Sequence, residues 1–185
     1  SFSSIVSQME EMAILLKENR VRYVGVSNFS TKQMAKAQQE LKKTGQILVS
    51  NQVRYHLLDR KIESNGILES ARELGVAIIA YSPLAQGILS GKFHRDLQLL
   101  DKMTGARKYL PAFRKKNLQK SQPVIDLLEQ LAEKYQATSA QVALNWLINF
   151  HGDLVFVIHG ASGVKQASEN TAAMNFTLSP QDRQA

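Results

Sequence analysis

Cysteine is absent from the 185 residues of this sequence, which excludes disulfides, thiolate metal sites and cysteine nucleophiles. Long apolar runs are also absent. The longest are Val76–Tyr81 and Leu154–Ile158, whereas a membrane-spanning helix needs about 20 apolar residues. The chain as given opens without a charged-then-apolar leader, so we expect no secretory signal and a cytoplasmic protein with no membrane partner.

Several catalytic and cofactor motifs are missing as well. The sequence contains no Gly-x-Gly-x-x-Gly fingerprint and no Gly-x-Ser-x-Gly elbow. Residues 87–93 are close to a phosphate-binding P-loop, but they have one residue too few between the glycines, and Phe93 replaces the hydroxyl residue. The four histidines lie far apart in the sequence, so we expect no metal site.

Positive charge is concentrated in residues 92–120, which we call the basic segment. It carries nine cations against Asp96 and Asp101 and so accounts for the whole net charge of +7. Such a segment is typical of a solvated loop, a docking surface or a site for a small-molecule phosphate. We expect no nucleic-acid partner, because no aromatic platform or nucleic-acid motif accompanies the charge. The cations are Lys92, Arg95, Lys102, Arg107, Lys108, Arg114, Lys115, Lys116 and Lys120.

Helical and buried-strand patterns alternate along the chain. Helical spacing of apolar residues predicts a helix from Ile5 to near Arg20. Ser30 and Gln33 form a capping-box pattern for the next helix, which we expect to end at Gly45. A further helix is predicted from Ile67 to Gly75. The predicted strands are Tyr23–Val26, Ile47–Val49, Val76–Ala80 and Leu154–Ile158.

The second half of the sequence is predicted to begin with an irregular stretch over about 85–122. Pro123 then suits the first turn of a helix that reaches Tyr135, and Thr138 with Gln141 caps the next helix. Another helix is expected from Val164 to Met174. Ser179 followed by proline indicates the start of a last helix.

Strand–helix units at intervals of about 25–30 residues indicate right-handed parallel crossovers. Four buried strands would leave two open sheet edges, which parallel sheets do not normally expose. We therefore expect an α/β fold that is a partial (β/α)8 TIM barrel, with the N-terminal half missing. Residues 1–185 would be its C-terminal half, with a basic loop insertion at about 85–122. A doubly wound sheet is the alternative.

Polar residues follow the predicted strands, where ligands bind in either architecture. Serine, asparagine and glycine are also ordinary turn residues, but Gln52 and Tyr81 are not. Carboxamides and an aromatic ring suit a flat polar ring that carries an amide, and residues 160–163, before a helix, suit an anion. The four strand ends are Ser27-Asn28, Asn51-Gln52, Tyr81-Ser82 and His159–Ser162.

At these strand ends the sequence resembles the C-terminal half of an aldo-keto reductase. The matching stretches are Val21–Ser30, Ser50–Val53, Ala80–Gly87, and Gly160–Ser162 continuing to Glu169-Asn170. Their order and spacing hold across essentially the whole chain. The resemblance implies a (β/α)8 barrel that transfers a hydride between NADP and an aldehyde or ketone, a small-molecule carbonyl substrate.

The resemblance also implies a role for each matching residue. Ser27, Asn28 and Gln52 would hold the nicotinamide carboxamide, and Tyr81 would stack on the nicotinamide ring. The pyrophosphate-loop positions would be Ser82, Leu84, Gln86 and Gly87. The 2′-phosphate end would meet Gly160, Ala161, Ser162 and Gln166, and adenine would meet Glu169 and Asn170.

Two departures from the family pattern occur near the phosphate end. His159 replaces a usual proline, and Gln166 replaces an arginine found in many members. The second change removes a bidentate phosphate contact, for which Lys165 could compensate. No catalytic residue is expected in this chain, since the acid tyrosine of the family and its lysine, aspartate and histidine partners belong to the first half of the barrel.

Three hypotheses follow. In the first, the chain is the cofactor-binding half of an NADP-dependent oxidoreductase and is inactive alone. In the second, it is a non-catalytic nucleotide-binding partner subunit of the same fold, similar to the beta subunits of voltage-gated potassium channels, and the basic segment is a docking surface. In the third, a half-barrel self-associates through its open sheet edges.

Overall fold

A computed structural model describes residues 4–185 as an α/β fold, as predicted. Within these residues the chain forms four strands, which are β1 (Val24–Ser27), β2 (Leu48–Arg54), β3 (Ala77–Tyr81) and β4 (Val155–Ile158). The helices are α1 (Ile5–Lys17), α2 (Thr31–Lys42), α3 (Ile67–Leu74), α4 (Lys92–Arg95), α5 (Gln98–Asp101), α6 (Lys115–Lys134), α7 (Ser139–Asn149), α8 (Val164–Thr171) and α9 (Pro180–Gln184). Short 3-10 turns cover Lys61–Glu63, Ala85–Ser90, Ala106–Tyr109, Pro111–Phe113, Gly152–Leu154 and Ala172–Met174.

The four strands form one sheet in sequence order, β1-β2-β3-β4. β2 pairs in parallel with both β1 and β3. The register places Ser27 opposite Gln52, and Tyr81 opposite Arg54. The carboxyl ends of these three strands therefore lie at the same edge of the sheet.

β2 is longer than the sequence predicts. The predicted strand ended at Val49, but the strand continues to Arg54 and includes Ser50, Asn51 and Gln52. Polar residues are tolerated there because neighbouring strands on both sides satisfy the backbone of β2. Asn51 is fully buried, and its side chain accepts from the Phe29 amide at 3.2 Å and donates to the Phe29 carbonyl at 2.9 Å.

Three of the predicted helix caps are confirmed, whereas α2 ends at Lys42, before the predicted Gly45. Ser30 and Gln33 form a complete capping box at the start of α2, and Thr138 with Gln141 does the same at α7. Gly75 ends α3 with a left-handed φ of 68°, the conformation that glycine adopts most readily. Each of these signals is local, since the capping boxes join residues three positions apart and the end of α3 depends on one glycine.

The chain divides into two compact units. The first contains the residues up to Tyr55, together with Asp59–Tyr81 and Gly152–Phe156. Its core lies between the sheet and α1 to α3. Met34, Leu41, Leu48 and Ile78 are fully buried there. The second contains His56–Leu58, Ser82–His151 and Val157–Ala185. Its core includes Ile88, Leu89, Ile125, Leu144, Leu147 and Leu178.

The structure differs from the expected irregular stretch over about 85–122. α4, α5, three 3-10 turns and the first two turns of α6 occupy it. Pro123 lies inside α6 rather than in its first turn, although an interior proline removes one helical hydrogen bond. Its ring is exposed, and the buried stripe of Leu118, Ile125 and Leu128 runs past it. Packing of this stripe outweighs the local penalty of the proline.

The C-terminal helix α9 is attached to α6 by a polar cluster within the second unit. Tyr135 Oη donates to Asp182, and Lys134 Nζ lies 2.7 Å from Asp182 Oδ2. Ser179 Oγ also donates to Asp182 at 2.8 Å, and the Ser179 amide donates to Tyr135 Oη at 2.9 Å. Lys134, followed by Tyr135 and Ser179, lowers the pKa of Asp182 from 3.8 to about 2.

This cluster predicts a pH dependence of stability. Because the pKa of Asp182 is lower in the folded chain than in the unfolded chain, its contribution is complete above about pH 4 and is lost as pH falls towards 2. We expect the difference in unfolding free energy between the unmodified chain and Asp182→Asn to shrink over this interval. Urea denaturation at pH 7, 4, 3 and 2 measures it. A difference that stays constant over this pH range would contradict the assignment.

Candidate functional site

Four predicted site residues, which we call the strand-end cluster, meet in the first unit. They are Ser27, Asn28, Gln52 and Tyr81. Ser27 Oγ donates to the Gln52 carbonyl at 3.0 Å, and the Asn28 amide donates to the same oxygen at 2.8 Å. Asn28 Nδ2 donates to Ser27 Oγ at 3.1 Å, and Tyr81 Oη donates to Asn28 Oδ1 at 3.2 Å. The parallel register therefore joins the ends of three strands by side-chain hydrogen bonds.

The cluster combines an oriented ring with available amide groups. Tyr81 is half-buried, and its bond to Asn28 fixes the hydroxyl end of the ring. Among residues 4–185, the Gln52 carboxamide makes no hydrogen bond and so keeps a donor and an acceptor for a ligand. Asn28 has a left-handed φ of 57°, which asparagine tolerates better than most residues. These groups suit a flat ring that carries an amide.

A strained loop, Ser82–Gly91, follows β3 in the second unit. Three of its non-glycine residues have positive φ: Ser82 (53°), Ala85 (49°) and Gln86 (57°). Each residue in this strained conformation destabilises the folded chain by about 1–3 kcal/mol. Residues strained in this way tend to cluster at ligand sites. The loop is held by hydrogen bonds from the Gly87 amide to the Leu84 carbonyl (2.8 Å) and from Ser90 Oγ to the Gly87 carbonyl (2.7 Å).

This loop forms one wall of a cleft of about 320 Å³, which we call the loop cleft. The structure brings together there all four predicted pyrophosphate residues and two from the predicted 2′-phosphate end. Two cations of the basic segment, Lys92 and Arg107, complete the lining. The cleft is lined by Ser82, Pro83, Leu84, Gln86, Gly87, Lys92, Arg107, His159, Gly160 and Gln166.

Sequence reasoning did not single out Lys92 and Arg107. Lys92 belongs to residues 87–93, whose spacing does not fit a P-loop, and Arg107 is one of nine cations in the segment. The concentration of positive charge in the basic segment was the available signal, but it does not show which of these cations line a cleft. No carboxylate among residues 4–185 forms an ion pair with either side chain. Their charge is therefore available to an anion.

Arg107 is held in place by aromatic packing. Its guanidinium carbon lies 5.4 Å from the centre of the Phe93 ring and 5.0 Å from that of Phe113, and the two rings pack edge to face at 5.1 Å. Its Nε is buried and has no hydrogen-bond partner among residues 4–185. A Cβ on Gly87, whose φ is +92°, would lie 3.4 Å from Arg107 Nη2. Such a Cβ would make an ordinary contact with the guanidinium, so glycine is favoured here by its backbone angle.

The segment from Gly160 to Asn170 is tied together by its own side chains. Gln166 Oε1 accepts from the Ser162 amide at 2.9 Å and from Ser162 Oγ at 3.0 Å. Asn170 is buried, and its Nδ2 lies 3.2 Å from His159 Nδ1 and 3.3 Å from the Gly160 carbonyl. Gln166 and Asn170 therefore position this turn, with Gln166 Nε2 still able to donate to a ligand.

The remaining residues predicted for the adenosine end lie outside the lining of the loop cleft. Ala161, Ser162 and Glu169 are exposed. The Glu169 carboxylate lies 3.9 Å from Lys165 Nζ, and its backbone carbonyl accepts from Gln141 Nε2 at 2.9 Å. In the described part of the chain, no group of three or more histidine and acidic side chains is placed to hold a metal ion.

The structure brings one tyrosine together with a lysine and an aspartate, which the sequence did not predict. Tyr135 lies beside Lys134 and Asp182, but its hydroxyl already donates to Asp182 and accepts from the Ser179 amide. Tyr55 is buried and donates to Glu63, and burial with this bond raises its pKa far above the usual 10. Both phenol hydroxyls therefore already have partners within the chain.

Comparisons with known proteins agree with this geometry. The chain is 34% identical over 175 residues to the aldo-keto reductase str7 of Strobilurus tenacellus, which covers 92% of the chain and 49% of that protein. It is 33% identical over 184 residues to an NADH-specific methylglyoxal reductase of Escherichia coli, which covers 98% of the chain and 52% of that protein. The chain thus spans about half the length of these relatives.

The fold comparison gives the same result. A crystal structure of a thermostable aldo-keto reductase with the inhibitor epalrestat superposes with a TM-score of 0.73 at 27% identity, covering 98% of this chain and 53% of that one. The α/β arrangement of four parallel strands with helices matches it. The family profile described as "Aldo/keto reductase family" matches residues 3–185. The chain therefore belongs to the aldo/keto reductase family.

Proposed function

We propose that this chain carries the dinucleotide-binding residues of an NADP-dependent aldo-keto reductase. Its intact parent would transfer a hydride between the cofactor and an aldehyde or ketone. The chain would be the C-terminal half of the barrel of this parent, in keeping with its share of the length of its relatives. The observation that carries the proposal is the loop cleft, where a strained backbone faces two cations that form no ion pair with any described carboxylate.

Each group of residues is assigned to one part of the cofactor from the family resemblance, and its contacts in the structure are compatible with that role. In the strand-end cluster, Ser27, Asn28 and Gln52 would bind the carboxamide, and the Tyr81 ring would stack on the nicotinamide. In the loop cleft, Ser82, Gln86 and Gly87 would present polar groups to the diphosphate, and Lys92 and Arg107 would balance its charge. When bound, the reduced nicotinamide supplies the hydride.

The proposed preference for NADP concerns the segment after β4. Lys165, whose side chain is 91% exposed, and the Nε2 of Gln166 would contact a 2′-phosphate, while Ser162 would add its hydroxyl. Glu169 and Asn170 are proposed for the adenine end. Titration with NADPH and with NADH under identical conditions tests the preference. Tighter binding of NADH would contradict it.

We expect the isolated chain to bind dinucleotide without turning over a carbonyl. Tyr55, Tyr81 and Tyr135 have committed hydroxyls, and Tyr23 and Tyr109 are 73% and 80% exposed. Each described tyrosine therefore has either a hydroxyl that is bonded to another side chain or a ring that is exposed. An assay with NADPH and a reactive aldehyde should show no turnover, and turnover by the pure chain would refute this part of the proposal.

Binding itself is tested at Tyr81. Stacking of a base on an aromatic side chain contributes roughly 1–3 kcal/mol, so Tyr81→Ala should raise the Kd for NADPH about tenfold. Tyr81→Phe removes the hydroxyl bond to Asn28 but keeps the ring, and it should have a smaller effect. Tyr23→Ala is the matched control in the same unit, because its ring is exposed. Equal losses in Tyr23→Ala and Tyr81→Ala would contradict the assignment.

A further inference from the structure

A second cleft of about 310 Å³ in the same unit has no assigned role. We call it the Phe93 cleft. It contains three cations, Lys92, Lys102 and Arg107, beside the Phe93 ring. The rest of its lining is Leu99, Met103 and Thr104, so the cleft combines positive charge with one hydroxyl and apolar surface.

The positive charge of this cleft is not neutralised by ion pairs within the described part of the chain. None of its three cations forms an ion pair with a carboxylate of residues 4–185. Of the two acids in the basic segment, Asp96 Oδ1 accepts from the Gln98 amide at 2.9 Å, and Asp101, next to Lys102, forms no ion pair with a described cation. Like charges gathered in one concavity favour the uptake of an anion.

Two of the cations are held in place before any ligand arrives. Phe93 is 3% exposed, and its ring lies 5.0 Å from Lys92 Nζ and 5.4 Å from the Arg107 guanidinium carbon. The buried Arg107 Nε makes no hydrogen bond to any described residue. A planar guanidinium offers paired donors that match a phosphate group, and a lysine adds a point charge.

We propose that the Phe93 cleft binds a phosphate monoester or inorganic phosphate, and that this binding opposes binding of the dinucleotide. The second part rests on the proposed function. Lys92 and Arg107 line both clefts, so an anion in one cleft weakens the attraction of the same cations for an anion in the other. Such coupling is reciprocal. Lys102 lines the Phe93 cleft and is absent from the lining of the loop cleft, so it distinguishes the two sites.

The first experiment measures phosphate binding without dinucleotide. Inorganic phosphate is titrated by calorimetry into the 185-residue chain, at a pH where it is mostly the dianion. Lys102→Gln should raise the Kd for phosphate roughly 3- to 10-fold. Lys108→Gln is the matched control, since Lys108 is exposed in the same segment and does not line the cleft. Equal binding by Lys102→Gln and the unmodified chain, or an equal loss in Lys108→Gln, would overturn the proposal.

The second experiment measures the coupling. The Kd for NADPH is determined with and without phosphate, with chloride at matched ionic strength as the salt control. Phosphate should raise this Kd several-fold in the unmodified chain and less in Lys102→Gln, which should bind NADPH normally without phosphate. An equal effect of chloride would overturn the coupling. Failure of NADPH to bind at all would overturn the proposed function and the coupling, and the phosphate titration would still decide the anion site.

Discussion

Replacing Arg107 by glutamine is expected to raise the Kd for NADPH about 10- to 100-fold. A hydrogen bond to a charged group contributes roughly 1.5–3 kcal/mol, and the guanidinium is already oriented by Phe93 and Phe113. Little reorganisation is therefore needed when a phosphate binds. Arg107→Lys keeps the charge but loses the paired donors, so its affinity should lie between those of Arg107→Gln and the unmodified chain.

The control for this prediction is Arg114→Gln. Arg114 belongs to the same basic segment and is exposed, but it does not line the loop cleft. Because Arg107 also packs on two rings, thermal unfolding of each variant shows whether a change in affinity reflects lost folding. An affinity of Arg107→Gln within twofold of the unmodified chain, or an equal loss in Arg114→Gln, would contradict the assignment.

Replacing Asn145 by alanine is expected to lower the free energy of unfolding by about 3–5 kcal/mol. Asn145 lies on α7 and is 0% exposed. Its Nδ2 donates to the carbonyls of Ala173 (2.8 Å) and Phe176 (2.6 Å), and its Oδ1 accepts from the Leu178 amide (3.3 Å). The substitution leaves these backbone groups without their partner, and stranding a buried polar group is costly.

Asn149→Ala is the matched control, because Asn149 lies one turn later on α7 and is half-buried. Its side chain donates a hydrogen bond to the Asn145 carbonyl at 2.9 Å. Loss of this one bond should lower the free energy of unfolding by about 1 kcal/mol. Urea denaturation with linear extrapolation measures both variants. Failure of Asn145→Ala alone to fold would agree with the prediction. Equal decreases in the free energy of unfolding of the two variants would contradict the proposal that Asn145 stabilises the segment after α8.

Much of the fold could be predicted because its signals are local. The capping boxes of α2 and α7 each join residues three positions apart, and the turn at Gly75 depends on its own backbone angle. The predictions failed where distant packing outweighs a local preference. Pro123 lies inside α6 because the buried side chains before and after it pack into one core. β2 continues through Asn51 because Phe29 satisfies that side chain.

The candidate site was also predictable only in part. Strand ends with amides and a tyrosine indicated the strand-end cluster, and the structure places those residues within hydrogen-bond distance. The residues predicted for the adenosine end differ in whether their side chains line the loop cleft. Gly160 and Gln166 line the loop cleft, whereas Asn170 is buried and positions His159 and Gly160. Whether a polar side chain faces a ligand or its own backbone depends on the local turn.

The sequence by itself determined the order of the four strands and the longer helices, several of their caps and the membership of the aldo/keto reductase family, because these follow from periodicity and from short ordered motifs. The tertiary structure alone decided which of nine similar cations turn into a cleft. Lys92 and Arg107 meet the loop after β3, and Phe93 and Phe113 pack against the guanidinium. That arrangement depends on side chains brought together by packing, which spacing along the chain does not encode.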